Sequence, residues 1–271
     1  MSEHGDIFSF HEIRNLGVDQ LDEVTRRQIY TSTDVGKKMH SFWKQVNRNT
    51  EINIKRHGIE NFMDFSEIRN TMLVMDKDVA EHQLSYIKER EYLDHETLLQ
   101  DKVLGDNHPQ KIHSLYHLYN FIESGGKVPK TGHIVEIGPG IGTMADLIIK
   151  SGFVGTYHLL DSETFNSIQT YYLTENGSNN KLEFIGTKSN KVSMLIGLWS
   201  LSEFPLDDRL IANYSADQYL LAYGPSFMEI DNNEYFNWFK ESREDVSWKT
   251  VPAITSGQNY LFGLRNKAGK K

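Results

Sequence analysis

Gly138, Gly140 and Gly142 follow directly on the apolar run His133–Ile137 and precede Met144-Ala-Asp-Leu, so a buried strand passes through a glycine turn into a helix. Glycine suits such a turn for two reasons. The backbone angles are closed to most other residues, and a missing Cβ lets a ligand lie against the chain. The dinucleotide pattern G-x-G-x-x-G/A needs Gly or Ala at position 143, whereas this chain has Thr143 and its third glycine one place earlier. A pyrophosphate cradle is therefore the weaker reading. Glu136, two residues before the first glycine, sets a carboxylate at the strand's end, where it repels a diphosphate and attracts an ammonium or sulfonium group.

Asp161 closes the next apolar run, Thr156–Leu160, 23 residues after Gly138, and an acid there can accept both hydroxyls of a ribose. With Pro139 inside the turn and Ser162 beside the acid, these residues outline a site for an adenosine carrying an uncharged-to-positive tail. S-adenosylmethionine has that shape and is the expected cofactor. Glu203 follows the run Val192–Trp199 and so belongs at the carboxyl end of a strand, where open α/β sheets meet their ligands. It is a candidate general base or substrate clamp; the plainer alternative is a helix-start carboxylate with Ser202 as cap. Trp199 borders either the adenine or the acceptor, or else serves as core. His113 and His117, four residues apart on one helix face, could take a proton or bind a metal, although such a pair is also a common polar flank. There is no H-E-x-x-H and no carboxylate triad with metal spacing, so no metal is expected.

Positioning these residues requires two kinds of chain. Residues 1–127 show apolar positions at three- and four-residue spacing, clearest at Val35, Met39, Phe42 and Val46. The spacing predicts one long helix of about 22 to 25 residues from the Ser32-Thr33-Asp34 cap to Gly58. Further helices are predicted to start near Asp19, Ser66 and Asp78, to span Asp94–Val103, and to run from Pro109 to Ser124. This half is expected to form a lid and acceptor wall. Residues 128–271 alternate short apolar runs with amphipathic ones, as a parallel sheet wrapped by helices requires. Strands are predicted at His133–Ile137, Thr156–Leu160, Lys181–Ile185, Val192–Trp199 and Gln218–Tyr223. Helices are predicted at Met144–Lys150, Glu163–Thr174, Leu206–Tyr214 and Asn233–Ser242, before a closing hairpin of Trp248–Ile254 and Tyr260–Arg265.

The glycine turn Val135-Glu-Ile-Gly-Pro-Gly-Ile-Gly142, with Asp161 at its interval, resembles the first motif of class I S-adenosylmethionine-dependent methyltransferases. Tyr157-His-Leu-Leu-Asp-Ser-Glu-Thr-Phe165, Gln169-Thr-Tyr-Tyr-Leu173 and Trp199-Ser-Leu-Ser-Glu-Phe-Pro205 are similar to a sugar O-methyltransferase family. The resemblance covers residues 130 to 265. It implies a Rossmann-like seven-stranded sheet, methyl transfer from S-adenosylmethionine, and a sugar or sugar nucleotide as acceptor. Ser162, Thr164 and Pro139 depart from the family pattern and bear on the acceptor class more than on the cofactor.

Composition narrows the partners. The chain has 271 residues, 29 Lys+Arg against 37 Asp+Glu, a net charge of −8 and no cysteine. That length buries roughly three quarters of the unfolded surface, and disulfides, thiol nucleophiles and cysteine-ligated metals are excluded. The acidic balance disfavours phosphate-neutralising nucleic-acid binding. No leader or membrane segment is evident, and a cytoplasmic setting is expected. Competing readings are a methyltransferase on a small aromatic, a peptide or a nucleoside, a non-catalytic nucleoside-binding module, and a nicotinamide oxidoreductase. Oligomeric state is not legible.

Overall fold

The computed structural model describes residues 31–73, 75–179, 181–187, 191–254 and 257–266. The helix predicted near Asp19 lies outside them. Helix α1 (Ser32–Lys38) begins in a capping box, the Thr31 hydroxyl accepting from Asp34 N–H while the Asp34 carboxylate accepts from Thr31 N–H. Helix α2 (Ser41–His57) ends at Gly58, whose φ is +84°. The single long helix predicted here is thus two. Met39 and His40 are extended, with ψ near 150°, and the His40 ring caps α2 by accepting from Phe42 N–H.

A 3₁₀ turn at Ile59–Asp64 leads to α3 (Ser66–Thr71), α4 (Lys77–Arg90) and α5 (His95–Leu98). The predicted Asp94–Val103 helix stops after one turn, because the Asp101 carboxylate takes the N–H groups of Val103 and Leu104 in place of helical carbonyls. Helix α6 (Pro109–Glu123) has proline in its first turn, as expected.

The second half proceeds through β1 (His133–Ile137), α7 (Thr143–Lys150), β2 (Thr156–Leu160), α8 (Glu163–Glu175) and β3 (Leu182–Glu183). The run 192–199 divides into β4 (Lys191–Val192) and β5 (Met194–Leu198), and α9 (Ser200–Glu203) follows at once. The predicted helix at 206–214 is instead a 3₁₀ turn, Leu206–Ala212. After it come β6 (Ser215–Ala216), β7 (Gln218–Tyr223), β8 (Ser226–Phe227), β9 (Ile230–Asp231), α10 (Asn233–Glu241), β10 (Val246–Pro252) and β11 (Asn259–Arg265).

The main sheet has the order β10-β11-β7-β5-β1-β2-β3. Strands β3, β2, β1, β5 and β7 are parallel, and β11 lies antiparallel between β7 and β10. This is the Rossmann-like sheet of the class I methyltransferase fold, the architecture that the resemblance implies. Strand order reverses at β1, so the crevice at its carboxyl end is the switch point where such sheets take ligands. Side chains alternate across the sheet: Ile134 joins the core formed with α4, α6 and α7, and Val135 and Ile137 join the core on the opposite face. The first core runs from Phe62, Ile68 and Leu115 to Leu147, Tyr157 and Phe262, so packing is continuous across residue 127. None of the described helices is long and apolar enough to cross a membrane.

Candidate active site

The glycines of the turn do different work. All three have positive φ, +60° at Gly138, +59° at Gly140 and +98° at Gly142. A Cβ at Gly138 would fall 2.4 Å from the Cβ of Ser200, whose hydroxyl donates to Ile137 O across the strand tips. At Gly142 it would make only ordinary contact with Leu173 and Tyr172 of α8, at 3.5 Å and 3.6 Å, so the positive φ is what favours glycine there, and the residue does not line the cavity. At Gly140 it would meet only the mobile end of Met72, 3.1 Å away, and that position opens onto the cavity.

The cavity has a volume of about 420 Å³ and lies over the carboxyl ends of β1, β2 and β5, a size typical of small-ligand sites. Nine of the eleven candidate residues line it: Glu136, Gly138, Pro139 and Gly140 from the first turn, Asp161 from the second, Trp199 and Glu203 after β5, and His113 and His117 from α6. Gly142 and Ser162 do not. Ser162 instead caps α8 through Phe165 N–H and donates to Asn47 Oδ1 at 3.0 Å.

Three carboxylates face this space. Burial pushes Glu136 up to about 7 against the stabilising Tyr157 hydroxyl, which donates to it at 2.7 Å; the nearby Asp161 adds repulsion. Asp161 is also pushed up to about 7 by burial, although it accepts from Ser162 N–H at 2.8 Å and from Gln169 Nε2 at 3.1 Å. Glu203, partly buried, is raised to about 7 for the same reason, opposed by the Trp43 indole N–H, which donates to it at 2.8 Å. No lysine or arginine is among the described residues lining the cavity. Acids gathered without a counter-cation call for a ligand that brings hydrogen-bond donors or positive charge.

The two histidines pack edge to face with ring centroids 4.0 Å apart. Burial lowers His113 to about 4 and holds His117 well below the ordinary imidazole range, with His113 adding to it, so both are neutral near pH 7. Each is already engaged, His113 Nδ1 with the Gln83 amide and His117 Nδ1 with the Tyr260 hydroxyl at 2.6 Å. Among the described residues no group of three or more His, Cys, Asp or Glu side chains is placed to hold a metal ion.

Sequence reasoning missed three supports. Gln169 bridges the two turns, its amide nitrogen donating to Gly140 O at 2.8 Å as well as to Asp161. Tyr157 anchors Glu136 from the neighbouring strand, and Trp43 reaches Glu203 from α2. Gln169 and Tyr157 stand inside the runs that carry the family resemblance, so a signal existed for them. Trp43, 160 residues from its partner, had none.

Comparison with known proteins finds no matching family model and no matching curated protein. Similar folds occur among solved structures. Magnesium protoporphyrin IX methyltransferase from Synechocystis PCC 6803, solved with bound SAM, superposes with a TM-score of 0.44 at 12% identity, over 70% of this chain and 99% of its own. A methyltransferase from Pyrococcus furiosus gives 0.41 at 13% identity, over 70% and 100%. The ribosomal protein L11 methylase of Lactobacillus delbrueckii subsp. bulgaricus gives 0.39 at 14% identity, over 58% and 80%. At such values no chemistry transfers to this chain.

Proposed function

We propose that the chain is an S-adenosylmethionine-dependent methyltransferase that methylates a hydroxyl of a small, uncharged acceptor, with a sugar as the acceptor class. One observation carries the reading: a cavity at the sheet's switch point with three carboxylates and, among the described residues lining it, no lysine or arginine. A diphosphate would find no lysine or arginine among those residues, which weighs against a nicotinamide dinucleotide and, among acceptors, against a sugar nucleotide relative to a free sugar or glycoside.

The residues present fit the cofactor. Asp161, held by Gln169, would accept the ribose hydroxyls, and the open flank at Gly140 admits a ligand against the backbone. Glu136 would face the positive tail, and the neutral side chains of Gln110, Ser114 and Thr143 would receive its carboxylate. Bound S-adenosylmethionine would supply a methyl group on a positively charged sulfur. Trp43, Phe204 and Phe227 offer flat apolar faces suited to the C–H face of a sugar ring. Glu203, titrating near neutrality, is suited to accept the hydroxyl proton. Its plainer role as a helix-start carboxylate fits less well, since its side chain accepts from the Trp43 indole of another helix. The helical half, on this reading, supplies the acceptor wall through α1, α2 and α6.

Calorimetric titration with S-adenosylmethionine and, separately, with NADH tests the proposal. Binding of the first alone is expected; binding of NADH with no heat from S-adenosylmethionine would overturn it.

A further inference from the structure

Glu203 is held more firmly than a surface carboxylate needs to be. The indole of Trp43, on α2, donates to its Oε2 at 2.8 Å. On the other side, Arg209 is 1% exposed and spends its guanidinium on the backbone flanking Glu203: Nε donates to Phe204 O at 2.9 Å and Nη2 to Ser202 O at 2.9 Å. Asn232 completes the clamp, accepting from Arg209 Nη2 at 2.6 Å and donating to Gly224 O at 2.9 Å. The segment begins at Trp199, which holds φ at +68°, a conformation that non-glycine residues adopt only when their surroundings enforce it.

We infer that Trp43 and Arg209 are positioning residues for Glu203: Trp43 orients the carboxylate and Arg209 fixes the loop that carries it, so the proton acceptor is assembled jointly by the helical half and the sheet. This rests on the proposed function, in which Glu203 receives the acceptor's proton. A buried cation bonded to the two carbonyls beside Glu203 stiffens the loop without a hydrogen bond to the carboxylate, because Nε and Nη2 are committed to those carbonyls and to Asn232. The indole supplies one directional bond and leaves the second oxygen for substrate. Other ionisable groups lining the cavity are His40 at the start of α2, His113 and His117 on α6, and Glu136 and Asp161 at the tips of β1 and β2.

The test reads the indole N–H signals of the four tryptophans by NMR in ¹⁵N-labelled protein, with the Trp43 signal assigned by its loss in Trp43→Phe. The Trp43 signal is expected to titrate with a midpoint near neutrality and to stay flat in Glu203→Gln. In Trp43→Phe, the ¹³C-carboxyl signal of Glu203 is expected to titrate about one pH unit higher, since a charge-assisted bond to the ionised form is gone. Arg209→Lys, which cannot span both carbonyls, is expected to broaden the Glu203 signal. A Trp43 signal that ignores pH, or that still titrates in Glu203→Gln, overturns the inference. Failure of the wild-type protein to bind S-adenosylmethionine would remove the functional reading instead, so the two failures are distinguishable.

Discussion

Asp161 and Glu136 show how a single side chain can record what a site is waiting for. Both are carboxylates raised to about 7 by burial, so the folded protein holds protons on them that the unfolded chain would release above its ordinary carboxylate range. Their contribution to stability is full below about pH 4 and is lost as pH rises through 7. A ligand that donates hydrogen bonds or positive charge binds the ionised pair. Affinity for S-adenosylmethionine is therefore expected to climb from pH 5.5 to about 7 and then level, with protons released on binding at the lower pH. Calorimetry in two buffers of different ionisation enthalpy measures that release; proton uptake would contradict it. Asp161→Ala is expected to weaken binding by about 2–3 kcal/mol, the loss of charge-assisted hydrogen bonds, in the same calorimetric titration. Glu203→Gln should keep cofactor affinity and slow turnover on whichever acceptor is active. Asp161 and Glu136 were legible because each is tied to a strand end by sequence spacing. Gln169 lay inside a run that carries the resemblance but its bond to Asp161 was not legible, and Trp43 gave no signal at all, since both roles depend on which turn of which helix lands beside the acids.

At the scale of the element, the glycine turn separates conformation from ligand access. Gly138→Ala forces both a positive φ and a collision with Ser200, and is expected to cost about 3 kcal/mol or more. Gly140→Ala meets only the thioether of Met72, so about 1–2 kcal/mol is expected, with ligand affinity the larger casualty. Urea denaturation alongside calorimetry distinguishes the two, and equal stability losses would contradict the assignment. Strands β1, β2 and β7 fall where they were predicted, because runs of apolar residues bounded by polar turns leave little choice of register. Helix breaks were harder to see. Val35 and Met39 share a helical spacing with Val46, yet the first two enter the core on one face of the sheet and the third enters the other. Periodicity reports which side of a helix is apolar, not which core receives it. The Asp94–Val103 prediction failed for a similar reason: the Asp101 carboxylate that takes the N–H groups of Val103 and Leu104 is itself held by side chains of α6 and α8.

Those partners matter to the whole molecule. Lys111 of α6 is fully buried between Asp101 at 2.8 Å and Asp146 of α7 at 2.7 Å; Lys150 reaches Asp146 at 3.0 Å, and the Tyr172 hydroxyl of α8 donates to Asp101 at 2.5 Å. This network ties the helical half to the helix that follows the glycine turn. Lys111→Met is expected to destabilise by about 3–5 kcal/mol in chemical denaturation, because it leaves buried acids with too few partners. A loss under 1 kcal/mol would show that the halves are held by apolar packing alone. The threading of β11 between β7 and β10 has a separate consequence for how the protein comes into being. Every other pairing in the main sheet joins strands already made, but β10 has no neighbour in that sheet until β11 arrives, and β7 shows a bare apolar edge to its surroundings for as long as that takes. A nascent chain paused before residue 259 would thus carry a sticky, half-zipped margin, the kind of surface that chaperones shield and that neighbouring chains can capture.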